Sequence, residues 1–164
     1  TGLDPAQVFT EANARLSENN DAGMFVTAWM GVLEISTGRF TYVNAGHNPP
    51  LIRRAGEDFQ FLKSRAAFVL AGMEGIRYRQ EETRFSPGDL LYIYTDGVTE
   101  ATDPENRLYG DERLRRVLNA QRTPDLAAIL HSVKEDVDAF AAGAPQFDDI
   151  TMLALRFDKR GEKS

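Results

Sequence analysis

Apolar residues at the start of the chain recur every three to four positions, which is the spacing of an amphipathic helix. Asp4 stands where a capping residue is expected, Pro5 follows in the first turn, and Gln7 lies three residues after the cap. The pattern therefore predicts a capped helix over Asp4–Asn19. Its predicted buried face consists of three apolar residues, Val8, Ala12 and Leu16.

The following segments carry the pattern of antiparallel strands. Met24–Ile35 is almost continuously apolar, which favours a strand covered on both sides, although a short buried helix fits the same run. Arg39–Asn44 is rich in aromatic and β-branched residues, and turn residues separate the two segments, so they predict a hairpin. A second hairpin is predicted from Leu51–Arg53 and Phe59–Leu62.

The second half of the chain mixes strands with two helices. Its predicted strands are Ile76–Phe85, Leu90–Tyr94 and Ile150–Phe157. One helix opens near Asp111. The other begins at a Thr123 cap and ends at Gly143, and six apolar residues recur along it at helical spacing: Leu126, Ile129, Leu130, Val133, Val137 and Phe140. This order predicts an α+β fold with about seven antiparallel strands packed under helices.

Composition narrows the possible functions. The chain has 164 residues, a length typical of one domain, and we assign 1–158 to that domain and 159–164 to a polar tail. It has no cysteine, which excludes thiolate metal sites and a cysteine nucleophile and fits a reducing compartment such as the cytoplasm. The net charge of -6 argues against binding nucleic acid or anionic membranes, and no apolar run approaches the ~18 residues of a membrane span.

Carboxylates stand at the ends of two predicted buried strands. Asp96 directly follows one strand, and Asp148 and Asp149 directly precede another. Each position alone also fits an ordinary turn aspartate that binds the backbone. If the strands are antiparallel neighbours, however, these ends meet, and clustered carboxylates repel unless a cation lies between them. An oxygen-ligated ion such as Mg²⁺ or Mn²⁺ suits such a site.

A third feature is the run Asn44–Pro50, in which a strand end passes through glycine into a proline-stiffened loop. His47 in this loop fits either a backbone hydrogen bond or a substrate contact. His131 lies in the long predicted helix and fits a packing or surface position. The chain contains no GxSxG elbow, no phosphate-binding glycine loop and no DxDx[TV] loop of aspartyl-phosphate phosphatases.

Three ordered segments resemble one known family. They are MFVTAWMGVLEISTGRFTYVNAGHNPPLIRR, SPGDLLYIYTDGVTEA and FDDITMLALRF. Together they are similar to the bacterial SpoIIE-like branch of the PPM-type, metal-dependent serine/threonine phosphatases, over nearly the whole of Asp4–Phe157. The resemblance implies an αββα sandwich of two antiparallel sheets flanked by helices, with two Mn²⁺ or Mg²⁺ ions at one edge and direct attack of water on a phosphoserine or phosphothreonine.

The resemblance also implies roles for single residues. Asp96 of the TDG motif and Asp148 of the DDIT motif match metal-ligand aspartates, whereas Asp149 is a less favoured candidate. His47 and Asn44 belong to the NAGH motif, which places them on the substrate side without a defined catalytic role. The implied substrate is a phosphorylated protein of the anti-sigma-factor antagonist class in a partner-switching pathway.

The sequence departs from the family pattern at its start. The GD-containing strand motif and the aspartate-Gly-His-Gly turn, which carry early acidic ligands in the family, do not occur in it. We therefore expect the family's domain without its opening strands, an incomplete metal site and an inactive fragment. We also expect self-association through exposed sheet edges. The alternative function is a non-catalytic, phosphatase-like regulatory or interaction module.

Overall fold

A computed structural model describes residues 2–65, 67–122, 124–146 and 148–158. In chain order the elements are α1 (Pro5–Ser17), β1 (Ala28–Glu34), β2 (Arg39–Ala45), β3 (Leu51–Arg53), β4 (Phe59–Phe61), β5 (Glu81–Arg84), β6 (Leu90–Tyr94), α2 (Asp96–Thr99), α3 (Asp111–Ala120), α4 (Leu126–Ala141) and β7 (Met152–Arg156). The α+β class and the antiparallel pairing of every described strand pair are as predicted.

These elements form two compact units. The first takes its described residues from Thr1–Pro49 and Lys63–Phe85, and the second from Pro50–Leu62 and Ser86–Ser164. The first unit contains a three-stranded sheet of order β1-β2-β5 together with α1. The second contains a four-stranded sheet of order β4-β3-β6-β7 together with α2, α3 and α4.

Helix α1 begins as predicted but buries a different face. Gln7 N donates to Asp4 Oδ1 over 2.8 Å and Asp4 N donates to Gln7 Oε1 over 3.0 Å, which completes the capping box. The buried residues are Pro5, Phe9, Asn13 and Ser17. The predicted face is wrong, because Val8 is 38% and Leu16 47% exposed and Ala12 is half-buried.

Asn13 explains which face of α1 is buried. Its amide donates to Met73 O over 3.0 Å and accepts from Ala71 N over 2.9 Å and from the Tyr78 hydroxyl over 3.3 Å. A buried amide satisfied in this way fixes the rotation of the helix about its axis. Phe9 on the same face packs with Tyr78, Val43, Ala45 and Leu70 in the core of the first unit.

Strand β1 is shorter and more exposed than predicted. The predicted start at Met24 lies before the strand, where the Asn20 side chain bonds both the N–H and the carbonyl of Met24, over 2.9 and 2.7 Å. Within the strand Val32 is 50% exposed, so the face that carries its side chain is not covered. The run is therefore neither a strand covered on both faces nor a buried helix. Its hairpin with β2 is confirmed, with Trp29 opposite Asn44.

Strand β5 is also shorter than the predicted Ile76–Phe85. The segment before it packs on α1, where Tyr78 N donates to Thr10 Oγ1 over 3.2 Å. The Tyr78 hydroxyl shares its one hydrogen between Asn13 Oδ1 of α1 and Val69 O, which lies 3.0 Å away. These bonds replace the pairing that a longer strand would need. The hairpin of β3 with β4 is confirmed, with Ile52 opposite Gln60.

The second unit holds the larger core. Fully buried side chains from the sheet and from both long helices meet there: Leu51, Phe59, Leu90, Tyr92, Tyr94, Val98, Leu114, Leu118, Ile129 and Val133. The predicted apolar stripe of α4 lines this core throughout. The cap of α4 is Asp125, whose carboxylate accepts from Ala127 N over 2.9 Å. The predicted cap Thr123 and the predicted tail 159–164 lie outside the described residues.

Two further features follow from the topology. The outer strands are β1 and β5 in one sheet and β4 and β7 in the other. Self-association through such edges stays a prediction. Within the described part of the chain, none of the helices combines the length and the apolar character that crossing a membrane requires.

Candidate metal centre

The pairing of β6 with β7 brings the two predicted carboxylate positions together. The strands are antiparallel and Tyr94 lies opposite Met152, so the exit of β6 adjoins the entry of β7. Asp96 follows that exit, and Asp148 and Asp149 precede that entry. The expectation that these strand ends meet is confirmed.

Thr95 connects the two strand ends beyond the last strand pair. Its N–H donates to Thr151 O over 3.0 Å, and its hydroxyl accepts from Thr151 N over 2.9 Å. The same hydroxyl donates to Asp149 O over 2.8 Å. Thr95 was not among the predicted site residues, and its place between a buried strand and an acidic turn was the only signal for it.

Gly97 lies directly against the segment that carries Asp148 and Asp149. A Cβ atom added at Gly97 would lie 2.6 Å from Asp149 O, 2.9 Å from Asp149 C and 3.0 Å from Asp148 O. No side chain fits at these distances, and the obstructing atoms are backbone atoms that cannot rotate away. The glycine of the TDG motif therefore permits a close approach of the two loops.

Both candidate ligand carboxylates are oriented by the backbone. Asp96 is half-buried at the start of α2, and its Oδ1 accepts from Gly97 N over 3.0 Å. Asp148 is exposed, and its Oδ1 accepts from Asp149 N over 2.7 Å. In each carboxylate the Oδ2 atom makes no hydrogen bond to any residue that the structure describes. One oxygen of each side chain is therefore free to bind a ligand.

Helix α2 itself was not predicted. The sequence indicates a turn at Thr95–Gly97, whereas the structure has a single helical turn over Asp96–Thr99. Val98 is completely buried in the core of the second unit, so its packing holds this helical turn in place. Asp96 therefore stands on a fixed element.

The carboxylates of Asp96 and Asp148 supply part of the ligand set that a hard divalent cation needs. Carboxylate oxygens are the preferred ligands of Mg²⁺, which commonly binds one or two protein carboxylates and keeps several waters. The described residues contain no group of three or more His, Cys, Asp or Glu side chains that could hold a metal ion. The two aspartates alone therefore provide a partial site.

Asp149 contributes backbone groups to the candidate metal centre. Its carbonyl accepts the Thr95 hydroxyl and its N–H binds the Asp148 carboxylate, and its own side chain is exposed. The Asp149 backbone thus joins the Asp148 carboxylate to Thr95, the residue before Asp96.

The NAGH motif lies in the first unit. Asn44 Oδ1 accepts from His47 N over 2.8 Å, and Asn44 Nδ2 donates to His47 O over 2.8 Å, so the side chain closes the turn at both ends. Gly46, at φ +72°, lies against Val69, whose Cγ1 would be 2.6 Å from an added Cβ. The His47 ring faces Thr27, with Nδ1 and Oγ1 3.3 Å apart.

His131 is a surface residue of α4. Its side chain is 72% exposed and lies 3.1 Å from Glu135 one turn along the helix. This position agrees with the sequence-based interpretation.

Sequence comparisons relate the chain to proteins of one family. The family model described as Stage II sporulation protein E (SpoIIE) matches residues 1–158. Protein IcfG of Synechocystis sp. is 36% identical over 139 residues, which cover 85% of this chain and 22% of that protein. Phosphoserine phosphatase RsbU of Bacillus subtilis is 24% identical over 156 residues, which cover 95% of this chain and 46% of that protein. The chain thus spans less than half the length of either relative.

Solved structures share the fold. The SiaA-PP2C domain of Pseudomonas aeruginosa superposes with a TM-score of 0.79 at 25% identity, covering 94% of this chain and 61% of that chain. The catalytic domain of the serine threonine protein phosphatase PstP, in complex with two manganese ions, superposes with a TM-score of 0.67 at 15% identity and covers 97% of this chain and 74% of that chain. The two antiparallel sheets with flanking helices match the fold of these PP2C-type neighbours.

Proposed function

Since this chain belongs to the SpoIIE family, we propose that it forms part of a metal-dependent phosphatase that acts on phosphoserine or phosphothreonine in another protein. The observation that supports the proposal is the close approach of the two strand ends that carry Asp96 and Asp148, where β6 ends and β7 begins. An isolated turn aspartate would need no such partner across the sheet. Two carboxylates brought together on fixed backbone favour a bound cation.

The proposed cofactor is Mn²⁺ or Mg²⁺, held on this chain by Asp96 and Asp148. A divalent ion in such a site polarises phosphoryl oxygens and lowers the pKa of bound water. The backbone bonds from Gly97 N and Asp149 N fix the two carboxylates before an ion arrives. The manganese ions of the PstP neighbour support the choice of ion, and the number of ions belongs to the same proposal.

The NAGH turn is proposed to face the phosphoprotein through His47. Both ends of the Asn44 amide are used to close the turn, so we assign Asn44 to holding the loop. His47 is half-buried. Of its two ring nitrogens, Nδ1 lies near Thr27 Oγ1, and we assign Nε2 to a substrate group.

The proposed substrate is a phosphorylated protein of the anti-sigma-factor antagonist class in a bacterial partner-switching pathway. The relative named phosphoserine phosphatase RsbU supports the phosphoserine part of this proposal. A cytoplasmic location belongs to the same proposal. The chain on its own is proposed to be inactive, since the described residues offer two ligands in place of a full set.

A non-catalytic regulatory module is the second candidate. The observation that favours it is the lack, among described residues, of a third metal-ligating side chain near Asp96 and Asp148. The genomic sequence directly upstream of Thr1 discriminates the two functions. Acidic motifs encoded there in frame support an enzyme, and their absence supports a binding role.

The test of the enzyme uses the full protein encoded by the gene that contains this chain. With Mn²⁺ it is expected to hydrolyse p-nitrophenyl phosphate and a phosphoserine protein. Asp96→Ala is expected to lower turnover about a thousandfold or more, because the loss of a metal ligand removes several kcal/mol of transition-state stabilisation. Asp21→Ala, at an exposed carboxylate of the first unit, is the matched control and should keep full turnover. Unchanged turnover in Asp96→Ala would contradict the assignment.

A further inference from the structure

Thr95 forms three hydrogen bonds across the candidate metal centre, one more than two opposite residues of a regular antiparallel pair exchange. The residue directly precedes α2, where a threonine hydroxyl ordinarily caps the helix. Thr95 is the N-cap residue, but its side chain makes no capping bond. Its hydroxyl is instead directed across the sheet, to the segment that carries Asp148.

The hydroxyl uses both its donor and its acceptor capacity on that segment. It donates to Asp149 O over 2.8 Å and accepts from Thr151 N over 2.9 Å. With the backbone bond from Thr95 N to Thr151 O over 3.0 Å, three hydrogen bonds join one residue to the strand entry opposite. In a regular antiparallel pair the two residues would exchange two backbone hydrogen bonds, so the Thr95 hydroxyl replaces the Thr95 carbonyl as acceptor of Thr151 N and adds the bond to Asp149 O.

Gly97 shows how closely the segments are held. The backbone of Asp148 and Asp149 occupies the space of a Gly97 side chain, with an added Cβ only 2.6 Å from Asp149 O. Thr95 draws the segment in on one side of Asp96, and Gly97 leaves room for it on the other side. Asp96 therefore lies between the two contacts that bring Asp148 close.

We propose that Thr95 is a positioning residue. Its hydroxyl sets the distance between the Asp96 and Asp148 carboxylates and thereby the affinity of this pair for a divalent cation. The proposal rests on the proposed function for its metal, but its geometric part concerns the metal-free chain. Partners that orient metal ligands typically change metal affinity by about 10- to 100-fold when they are removed. Thr95 does not touch the ion or the substrate in this proposal.

The test compares three variants of the 164-residue chain by NMR. Thr95→Val keeps the shape and removes both hydroxyl bonds, and Thr95→Ser keeps them. Thr41→Val places the same change at a half-buried threonine of β2. The probe is Mn²⁺ alone, and the readout is the paramagnetic broadening of amide signals at 95–97 and 148–151.

The expected result is broadening of both loops together in the unchanged chain, in Thr95→Ser and in Thr41→Val. In Thr95→Val the Mn²⁺ concentration needed for the same broadening should rise about tenfold or more. Equal affinity in Thr95→Val would overturn the proposal. If Thr95→Val does not fold, Thr95→Ser decides: it should bind Mn²⁺ as the unchanged chain does, and a folded Thr95→Ser that has lost affinity would overturn the proposal.

A metal-free measurement separates this proposal from the proposed function. Proton cross-relaxation between Gly97 and Asp149 reports the close approach of the loops, and hydrogen exchange at the Thr151 amide reports its bond to Thr95. Both should weaken in Thr95→Val. If the unchanged chain shows no Mn²⁺ broadening, the metal assignment fails while these two readouts still test the positioning. If neither readout changes in Thr95→Val, the positioning role fails whatever the metal does.

Discussion

Asp89 shows how one buried carboxylate can fix a turn. The residue is 1% exposed at the start of the segment that becomes β6. Its side chain accepts from Arg54 over 2.6 Å, from Ala55 N over 2.9 Å and from Ser86 N over 2.9 Å. Because a buried charge without partners is costly, these three bonds are what make its burial possible. They also join β6 to the turn after β3.

Asp89→Ala should therefore destabilise the chain by about 2–4 kcal/mol, since it removes the acceptor of two backbone N–H groups and the carboxylate that pairs with Arg54. Urea denaturation followed by circular dichroism measures the change. Asp58→Ala is the control, because Asp58 pairs with Arg122 on the surface with both side chains more than half exposed. Such a pair contributes about 0–1 kcal/mol. Equal losses in the two variants would contradict the argument.

At this scale the sequence predicts local partnerships well and distant ones poorly. The capping box of Asp4 and Gln7 was predicted correctly because its two residues are three positions apart. The prediction of the buried face of α1 was wrong, because that face depends on Asn13, whose partners are 58 to 65 residues away along the chain. Nothing near Asn13 in the sequence marks it as buried.

Between elements, α3 and α4 are joined by a charged contact. Arg113 donates from Nε to Asp136 Oδ2 over 2.7 Å and from a terminal nitrogen to Oδ1 over 3.1 Å. The Tyr109 hydroxyl donates to the same carboxylate over 2.7 Å. The hydrogen bond from Arg113 is the main cause that lowers the pKa of Asp136 below its ordinary value of 3.8, and partial burial opposes it.

This contact predicts a pH dependence of stability. Because the folded-state pKa of Asp136 lies below the unfolded one, the ionised carboxylate stabilises the fold above about pH 4. That contribution is lost as the pH falls through the folded-state pKa. Asp136→Asn should therefore be less stable than the unchanged chain at pH 7, and the difference should shrink as the pH falls below 4. Urea midpoints at several pH values measure it, and a difference that grows on acidification would contradict the sign.

The bounds of single elements show where periodicity is insufficient. The long helix α4 was predicted with its apolar stripe, since a helical period over sixteen residues fits little else. Strands β1 and β5 were predicted too long, because side chains of Asn20 and Thr10 occupy the backbone groups that pairing would need. Helix α2 was not predicted, since four residues carry no periodic signal.

At the scale of the molecule, the ligand set limits what the chain can do. Asp96 and Asp148 are on fixed backbone, and the described residues contain no third side chain placed with them to hold a metal. Sites with few protein ligands bind divalent ions weakly, because water must supply the other positions.

We therefore expect the 164-residue chain to bind Mn²⁺ with a dissociation constant weaker than about 0.1 mM. Isothermal titration calorimetry measures the affinity. Asp148→Ala should remove the residual binding, whereas Asp158→Ala, at an exposed carboxylate paired with Arg156 on the surface, should leave it unchanged. Two tight Mn²⁺ sites in the unchanged chain would contradict this expectation.

The sequence by itself determined the class of fold, the antiparallel strands, the two long helices and the candidate pair Asp96 and Asp148. These follow from periodicity and from residues adjacent to strand ends. Only the tertiary structure decided that the two strand ends meet, that Thr95 and Gly97 bring them close and that Asp149 contributes its backbone. The physical reason is that these contacts join residues more than fifty positions apart, and their directions depend on how β6 and β7 pair.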